Sequence, residues 1–573
     1  MESKKIYELW LSDPYFDEKT KEELRGIADD EKEIEERFYR DLEFGTGGLR
    51  GITGAGTNRM NIYTVRKATQ GLANYICKQH GQERGAAIAY DSRNMSVEFA
   101  QEAAMCLAAN GIKVHIFPSL RPTPMLSFAL RYLKCMAGIV VTASHNPPEY
   151  NGYKVYWEDG AQITSPRDQE IIGEVNAIAS YDQVKTMYVQ KAQQAGLYHV
   201  IGQEVDDAYI ESLKQLVLRP DILKEEAKNL KIVYTPLHGT GNQPVRRILS
   251  ELGFEHVYVV KEQELPDGNF PTVSYPNPED KNAFTLALKL AQETDADIVL
   301  ATDPDADRLG VYAKDPLSGE YVSFSGNMSG MLILEYILSQ KKAMQALPEN
   351  GAVVTTIVSG KMSRAVTKEY GVTLIETLTG FKYIGEQIKL FEQNHSYEYL
   401  FGYEESYGCL VGTHARDKDA VVAVMALCET AAWCRHQGIT LCGQMERLYQ
   451  KYGYCMEGLA FVTLEGQEGM KKINERMEQI RKDVPQQIGG FCVQQFRDYA
   501  QGIVLDCRSN EKRPAGLPKS NVLYFELEKG AWCCIRPSGT EPKIKFYIGV
   551  QGENRQEAQM MLQNMMEAVK KLT

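Results

Sequence analysis

The sequence predicts an α/β protein: three similar α/β units with mixed sheets, followed by a smaller C-terminal α+β domain. Three observations carry this. The chain has 573 residues, too many for one hydrophobic core. A short apolar run, a polar or glycine-rich loop and a helical stretch recur in that order along its first four-fifths. From about residue 456 the pattern changes to alternating runs such as 522–527 and 531–535, closed by a helical stretch rich in Met and Gln.

Residues 1–40 read as helical and strongly charged, with Trp10, Leu11, Tyr15 and Phe16 as docking points. The apolar runs then follow. Ala86–Tyr90 precedes Asp91-Ser92-Arg93, and Ala137–Val141 precedes Thr142-Ala143-Ser144-His145-Asn146-Pro147. Run 232–234 precedes the loop 235–241, 297–301 precedes Thr302-Asp303-Pro304-Asp305, and 372–375 precedes Glu376-Thr377-Leu378-Thr379-Gly380. Strands alternating with helices imply sheets covered on both faces, whose ligands bind beyond the carboxyl ends of the strands. Each of these loops is at such an end. The expected domains are 1–205, 206–325, 326–455 and 456–573.

Composition narrows the function. The net charge of −12 argues against nucleic acid and anionic membranes as partners, while leaving room for a local cationic site that holds a small anion. The N-terminal stretch is interrupted by charges and lacks a signal-peptide core, and no run approaches the roughly 20 apolar residues of a membrane span. The 12 cysteines are scattered without a C-x-x-C pair, as expected for reduced thiols in the cytoplasm. No obligate protein partner is evident.

Four loops carry chemistry. Ser144, on a tight loop after a buried strand, is a candidate nucleophile; no G-x-S-x-G elbow surrounds it, so it needs activation or pre-loading. Pro147-Pro148 forces the chain out of helix, and Asn151-Gly152-Tyr153-Lys154 adds a flexible turn and a nearby cation. Asp303, Asp305 and Asp307, at alternate positions, can converge on a hard cation. The EF-hand alternative fails because Arg308 and Lys314 stand where Gly and Glu are required. Arg536-Pro537-Ser538-Gly539-Thr540 combines a guanidinium, two hydroxyls and a glycine suited to phosphate. Gly402-Tyr403-Glu404-Glu405-Ser406-Tyr407-Gly408 offers carboxylates and a hydroxyl to sugar hydroxyls. Taken singly, the Ser144, Arg536 and Glu404 loops also read as ordinary turns.

In this combination and order the four loops resemble the α-D-phosphohexomutase family, which includes the phosphoglucomutases. The segment Phe44-Gly45-Thr46-Gly47-Gly48-Leu49-Arg50-Gly51 is similar to the family's opening segment, whose arginine faces the reacting phosphate. The resemblance spans nearly the whole chain and implies three similar α/β domains and a distinct fourth around a central cleft. It implies that residues 142–147 are the phosphoserine loop, that Mg²⁺ is held by Asp303, Asp305, Asp307 and a Ser144 phosphate oxygen, and that Arg308 completes the metal loop. Glu404 and Ser406 then read the sugar, and Arg536, Ser538, Gly539 and Thr540 hold the non-reacting phosphate, with Lys418 as a second phosphate contact. The N-terminal helical segment and Thr379-Gly380-Phe381-Lys382 resemble the longer members, which act on glucose or pentose phosphates. Tyr407-Gly408 stands where the short bacterial phosphomannomutase type has Gly-His, which lowers the expectation of a mannose-directed enzyme.

The expected reaction interconverts glucose 1-phosphate and glucose 6-phosphate through phosphorylated Ser144, with glucose 1,6-bisphosphate as intermediate and activator. Arg50 stabilises phosphoryl charge. Lys154 or His145 assists proton transfer, a structural role for His145 remaining open. Ribose or deoxyribose 1-phosphate is the second substrate choice and mannose the third. The other classes are a phosphatase, for which no Asp-nucleophile pattern appears near the chain start, and a non-catalytic sugar-phosphate-binding regulator, against which intact Ser144 and three aspartates argue.

Overall fold

A computed structural model describes every residue except 1, 46, 465, 538–542 and 573. It contains four sheets. The first has the order Gly48–Ile52, Tyr150–Trp157, Ala137–Val141, Ala86–Tyr90, Val114–Ile116 and Tyr198–Val200. The second has the order Tyr321–Phe324, Leu309–Lys314, Ile298–Thr302, Lys231–Thr235 and His256–Val259; the third, Thr373–Thr377, Gly351–Thr356, Glu398–Glu404 and Gly408–Val411. The expected three mixed-sheet units are therefore present. Their central strands, AAIAY, AGIVV, IVLAT and GAVVTT, are buried at every position. That is the pattern of strands covered by helices on both faces.

One hairpin recurs in all three units. A strand that runs parallel to a sheet neighbour ends in a short loop, and the next strand returns antiparallel beside it. The pairs are Ala137–Val141 with Tyr150–Trp157, Ile298–Thr302 with Leu309–Lys314, and Glu398–Glu404 with Gly408–Val411. The Ser144, Asp303 and Ser406 loops are the tips of these equivalent hairpins.

Two local expectations are corrected. Residues 151–154 are not a flexible turn but part of the strand Tyr150–Trp157, which pairs with Gly48–Ile52 and Ala137–Val141; the approach is close enough that a Cβ on Gly152 would meet the Thr142 carbonyl oxygen at 2.4 Å. Likewise Gly402, Tyr403 and Glu404 belong to a buried strand, and only residues 405–407 form the tip.

The C-terminal sheet is antiparallel, in the order Tyr454–Thr463, Lys543–Gly552, Trp532–Pro537, Leu523–Leu527, Phe491–Asp498, Ile503–Asp506 and Lys512–Pro514, with Gln487–Ile488 paired to Phe491–Asp498. The helices Gly466–Lys482 and Arg555–Lys570 contribute Ile473, Met477, Met565 and Val569 to a core shared with Phe525 and Phe546. At the other end, the helices Glu2–Ser12, Glu18–Arg25 and Glu31–Phe38 dock through aromatic rings, with Trp10 stacked on Phe16 at 4.1 Å and edge-on to Tyr63.

The helix Ala420–His436 joins the second and third units. Its sequence, AVVAVMALCETAAWCRH, is apolar nearly all round, and nearly all of it is buried. It packs against the helices Pro220–Glu226, Asn242–Glu251 and Gly326–Ala343. Its one buried carboxylate, Glu429, accepts the amides of Leu218 and Arg219 at 2.8 and 2.6 Å. Among the described residues no helix is long and apolar enough to cross a membrane.

Candidate active site

The three hairpin tips share a backbone device. Ser144, Ala306 and Tyr407 each adopt a positive φ, of 52°, 49° and 65°. For non-glycine residues this conformation costs on the order of 1–2 kcal/mol each, so surrounding bonds must hold it. Around Ser144 they do. Its amide donates to Thr142 Oγ1 at 2.8 Å, and that hydroxyl donates to Asp91 Oδ2 at 2.5 Å. The Arg93 guanidinium, fully buried, donates to the carbonyls of Ser144 (2.6 Å), Asn146, Pro147 (2.8 Å) and Tyr150 (3.0 Å). One side chain thus clamps the whole loop.

The Ser144 hydroxyl points across the domain boundary. It donates to Asp303 Oδ2 at 2.8 Å and lies 3.1 Å from His145 Nδ1. Asp303 Oδ1 accepts the amides of Asp307 and Arg308, both at 3.1 Å, which curls the metal loop around this carboxylate. Three elements hold that loop by its own carbonyls. Thr240 donates its amide to Pro304 (2.8 Å), Thr123 to Asp305 (2.9 Å) and Ala420 to Ala306 (3.1 Å).

Asp303, Asp305 and Asp307 are buried, with ligand oxygens within 4.8 Å of one another. Burial and the two neighbouring carboxylates push Asp303 well above the ordinary range. Burial would also raise Asp305, but Lys154, at 2.8 Å, and the Thr123 hydroxyl, at 2.9 Å, hold it low. Asp305 Oδ1 and Asp307 Oδ1 are buried without a hydrogen-bond partner. Buried carboxylate oxygens left over in a mutually repelling cluster fit a hard divalent cation.

The remaining expected residues surround this centre. Arg50, on the strand Gly48–Ile52, is exposed, and its Nη1 lies 3.4 Å from Asn146 Oδ1 beside the Ser144 loop. Burial and the Arg308, Arg50 and Arg93 guanidinium groups hold His145 well below its ordinary value, so its ring is neutral. Lys154 faces Asp305 and, at 3.8 Å, Asp307. Lys418 bridges Asp307 (3.1 Å), Asp417 (3.3 Å) and Glu404 (3.9 Å), joining the metal loop to the third hairpin. Arg308 pairs with Glu279 at 2.5 Å. Glu404 accepts the Ser406 hydroxyl at 2.8 Å, and burial together with Glu404 pushes the adjacent Glu405 up to about 7.

Gly380, at φ 118°, is the N-cap of the helix Phe381–Asn394, and Thr379 directly precedes it. Arg536, at the end of the strand Trp532–Pro537, is paired across the sheet with Lys545. Burial and neighbouring cations, Arg536 among them, hold Lys545 below its ordinary value, and burial does the same to Lys382. Arg536 thus acts on both Lys545 and Lys382, the latter also facing Asp168 and Glu386, and this group of cations is a fit for phosphate. Ser538, Gly539 and Thr540 lie outside the described residues.

Sequence reasoning missed Arg93, Thr123, Tyr275 and Lys545. Arg93 stood in the strand-end loop Asp91-Ser92-Arg93, which was its only signal. Thr123 and Tyr275 gave none: the Tyr275 ring meets His145 edge-on at 5.9 Å through a loop of the second unit. Phe270, on the same loop, covers the Arg93 guanidinium at 5.0 Å.

Three family models match the chain in succession: phosphoglucomutase/phosphomannomutase alpha/beta/alpha domain I over residues 41–182, domain II over 207–319 and domain III over 325–452. The chain is 36% identical to a phosphoglucomutase of Staphylococcus aureus over 550 residues, 96% of each chain. It is 38% identical to one of Staphylococcus epidermidis over 521 residues, 91% of this chain and 92% of that one. Among solved structures it is similar in fold to the Paramecium phosphoprotein parafusin, a phosphoglucomutase, in its open form (TM-score 0.68, 19% identity, 93% of this chain and 94% of that one). A phosphoglucomutase/phosphomannomutase family protein of Burkholderia thailandensis is also similar (TM-score 0.64, 19% identity, 92% and 97%).

Proposed function

The chain belongs to the phosphoglucomutase/phosphomannomutase family, and from that premise and the site's geometry we propose that it interconverts α-D-glucose 1-phosphate and glucose 6-phosphate through a phosphoserine at Ser144. The observation that carries this reading is the Ser144 hydroxyl bonded at 2.8 Å to Asp303, inside a buried cluster of three carboxylates.

Ser144, phosphorylated in the resting enzyme, gives its phosphoryl group to the C6 hydroxyl of glucose 1-phosphate. The Oγ–P bond breaks, the O6–P bond forms, and the O6 proton leaves to a base in the cleft. His145, neutral and 3.1 Å from Oγ, is placed to take and return that proton. Glucose 1,6-bisphosphate then turns in the cleft, and its C1 phosphoryl group passes back to Ser144, leaving glucose 6-phosphate. Asp303, Asp305 and Asp307, with a phosphoserine oxygen, would hold Mg²⁺, which when bound would supply neutralisation of the negative charge on the transferring group.

The chain's own groups do the rest. Arg93 fixes the loop that carries Oγ, and Arg50 faces the reacting phosphate from the adjacent strand. Lys154 holds Asp305 in place, and Arg308 braces Asp307. Glu404 and Ser406 read the secondary hydroxyls of the ring, and Thr379 and Gly380 contact the substrate from the loop before the helix Phe381–Asn394. Arg536 holds the phosphate away from the reaction, and Lys418, 3.1 Å from Asp307, is a second phosphate contact at the edge of the metal loop. Ser144→Ala is expected to fold, to lose the covalent phosphate in intact-mass analysis and to lose nearly all turnover. Side-by-side assays with glucose, ribose and mannose 1-phosphates test the sugar, and a faster rate on either alternative would overturn glucose.

A further inference from the structure

The strand Tyr150–Trp157 carries Lys154 and Tyr156 on one face, since alternate residues of a strand point the same way. Lys154 reaches the metal loop of the second unit at Asp305. Tyr156 reaches the third unit, where its hydroxyl donates to Asp417 Oδ2 at 2.7 Å. Both residues of that pair are buried. Burial and the Asp417 carboxylate push Tyr156 well above its ordinary value, so the hydroxyl keeps its proton and donates.

The other oxygen of Asp417 serves Lys418. Oδ1 accepts the Lys418 amide at 2.8 Å and lies 3.3 Å from the Lys418 ammonium. The stem of Lys418 runs across bare backbone: a Cβ on Gly408 would meet its Cδ at 2.0 Å. At the end of that stem Nζ is 3.1 Å from Asp307 and 3.9 Å from Glu404. An ammonium on a flexible four-carbon stem is a point charge with no direction of its own, and here three carboxylates compete for it. While Tyr156 engages Oδ2, Asp417 offers the ammonium one oxygen. With Oδ2 released, the carboxylate can turn, present both oxygens and draw the ammonium away from Asp307.

We propose that Tyr156 is a positioning residue for Lys418, an inference that rests on Lys418 as a phosphate contact: by holding Asp417 it keeps the ammonium at the edge of the metal loop, where the sugar phosphate meets it. Asp419, on the other side of Lys418, supplies the contrast. A second buried tyrosine, Tyr209 of the helix Gln203–Lys214, donates to its carboxylate at 2.9 and 2.8 Å. That carboxylate accepts the amides of Val421 and Val422 and so caps the helix Ala420–His436. The two tyrosines make similar bonds on either side of Lys418, one to a carboxylate that faces the ammonium and one to a helix cap.

The test is a double-mutant cycle on the full-length, Mg²⁺-loaded protein, with Tyr156→Phe, Lys418→Met and the pair. Each is measured for kcat and KM on glucose 1-phosphate, and for glucose 1-phosphate affinity by calorimetry in the Ser144→Ala background. Tyr156→Phe keeps the ring and removes only the hydroxyl. It is expected to raise KM and weaken affinity about tenfold, the scale of one lost bond to a charged group. Because a phosphate contact made before and during transfer acts on binding, kcat should stay within about threefold. With Lys418→Met already present, Tyr156→Phe should change neither quantity further, since no ammonium is left to place. Asp417→Asn keeps an acceptor for Tyr156 and removes the charge that faces Lys418, and it too should weaken affinity. Tyr209→Phe should lower the thermal midpoint through the helix cap and leave KM unchanged. Equal effects of Tyr156→Phe with and without Lys418, a lower kcat at unchanged KM, unchanged affinity in Asp417→Asn, or a KM rise in Tyr209→Phe as large as in Tyr156→Phe would overturn the positioning role. Absent wild-type turnover of glucose 1-phosphate would instead overturn the function proposed above, and the affinity cycle would still decide the role of Tyr156.

Discussion

Arg93→Lys is the most informative substitution, because it keeps the charge and removes only the fork. The guanidinium donates to four carbonyls spread from Ser144 to Tyr150, and a single ammonium cannot reach both ends of that span. At least two bonds are lost. A hydrogen bond to a charged group contributes about 1.5–3 kcal/mol, so the loop loses roughly 3–6 kcal/mol. That exceeds the 1–2 kcal/mol stored in the positive φ at Ser144, and the loop relaxes away from its catalytic shape. A penalty of about 3 kcal/mol leaves the competent conformer populated roughly one part in a hundred. The expected outcome is a kcat lower by about a hundredfold, with KM changed only a few-fold because the distal phosphate contacts are untouched. Amide exchange over 142–152 should quicken in parallel. Steady-state kinetics at saturating glucose 1,6-bisphosphate, with exchange on the same samples, checks both. A kcat within about threefold of wild type and unaltered exchange would refute the clamp.

Chelation is expected to abolish turnover and Mg²⁺ to restore it, and Asp305→Asn, nearly isosteric, should cost about 10²–10³ in kcat; a chelator-resistant enzyme would sink the metal assignment. Arg536→Ala should weaken every sugar phosphate to a similar degree, since a guanidinium reads phosphate and not the ring. Glu404→Ala should instead change the ranking of hexose and pentose 1-phosphates, and the reverse pattern would mean the two loops are assigned the wrong way round. Glu429, buried in the helix Ala420–His436, is pushed up to about 7 chiefly by burial. A raised carboxyl favours the folded state while protonated, and that contribution fades as pH rises from about 4.5 through 7. Glu429→Gln should therefore gain roughly 3 kcal/mol on wild type at pH 8 and nothing at pH 4.5, read from denaturation midpoints at both; an equal effect at the two pH values would contradict it.

The sequence by itself determined which loops to single out. Ser144, the three aspartates, Glu404 with Ser406, and Arg536 stood out as candidates because residue types and spacing are fixed by the chain, a preceding apolar run marks a strand end, and the four loops occur in one combination and order. The repeat of strand, loop and helix likewise announced three similar units. Only the tertiary structure decided what these groups meet. Lys154 reads in sequence as a cation near Ser144, yet it is bonded to Asp305, 151 residues away. Arg93 clamps carbonyls more than 50 residues along the chain, and Lys418 ties Asp307 to Glu404. Such pairings depend on how sheets and the helix Ala420–His436 pack. That packing is driven by non-directional apolar burial, which many side chains satisfy equally and which leaves no short motif to read.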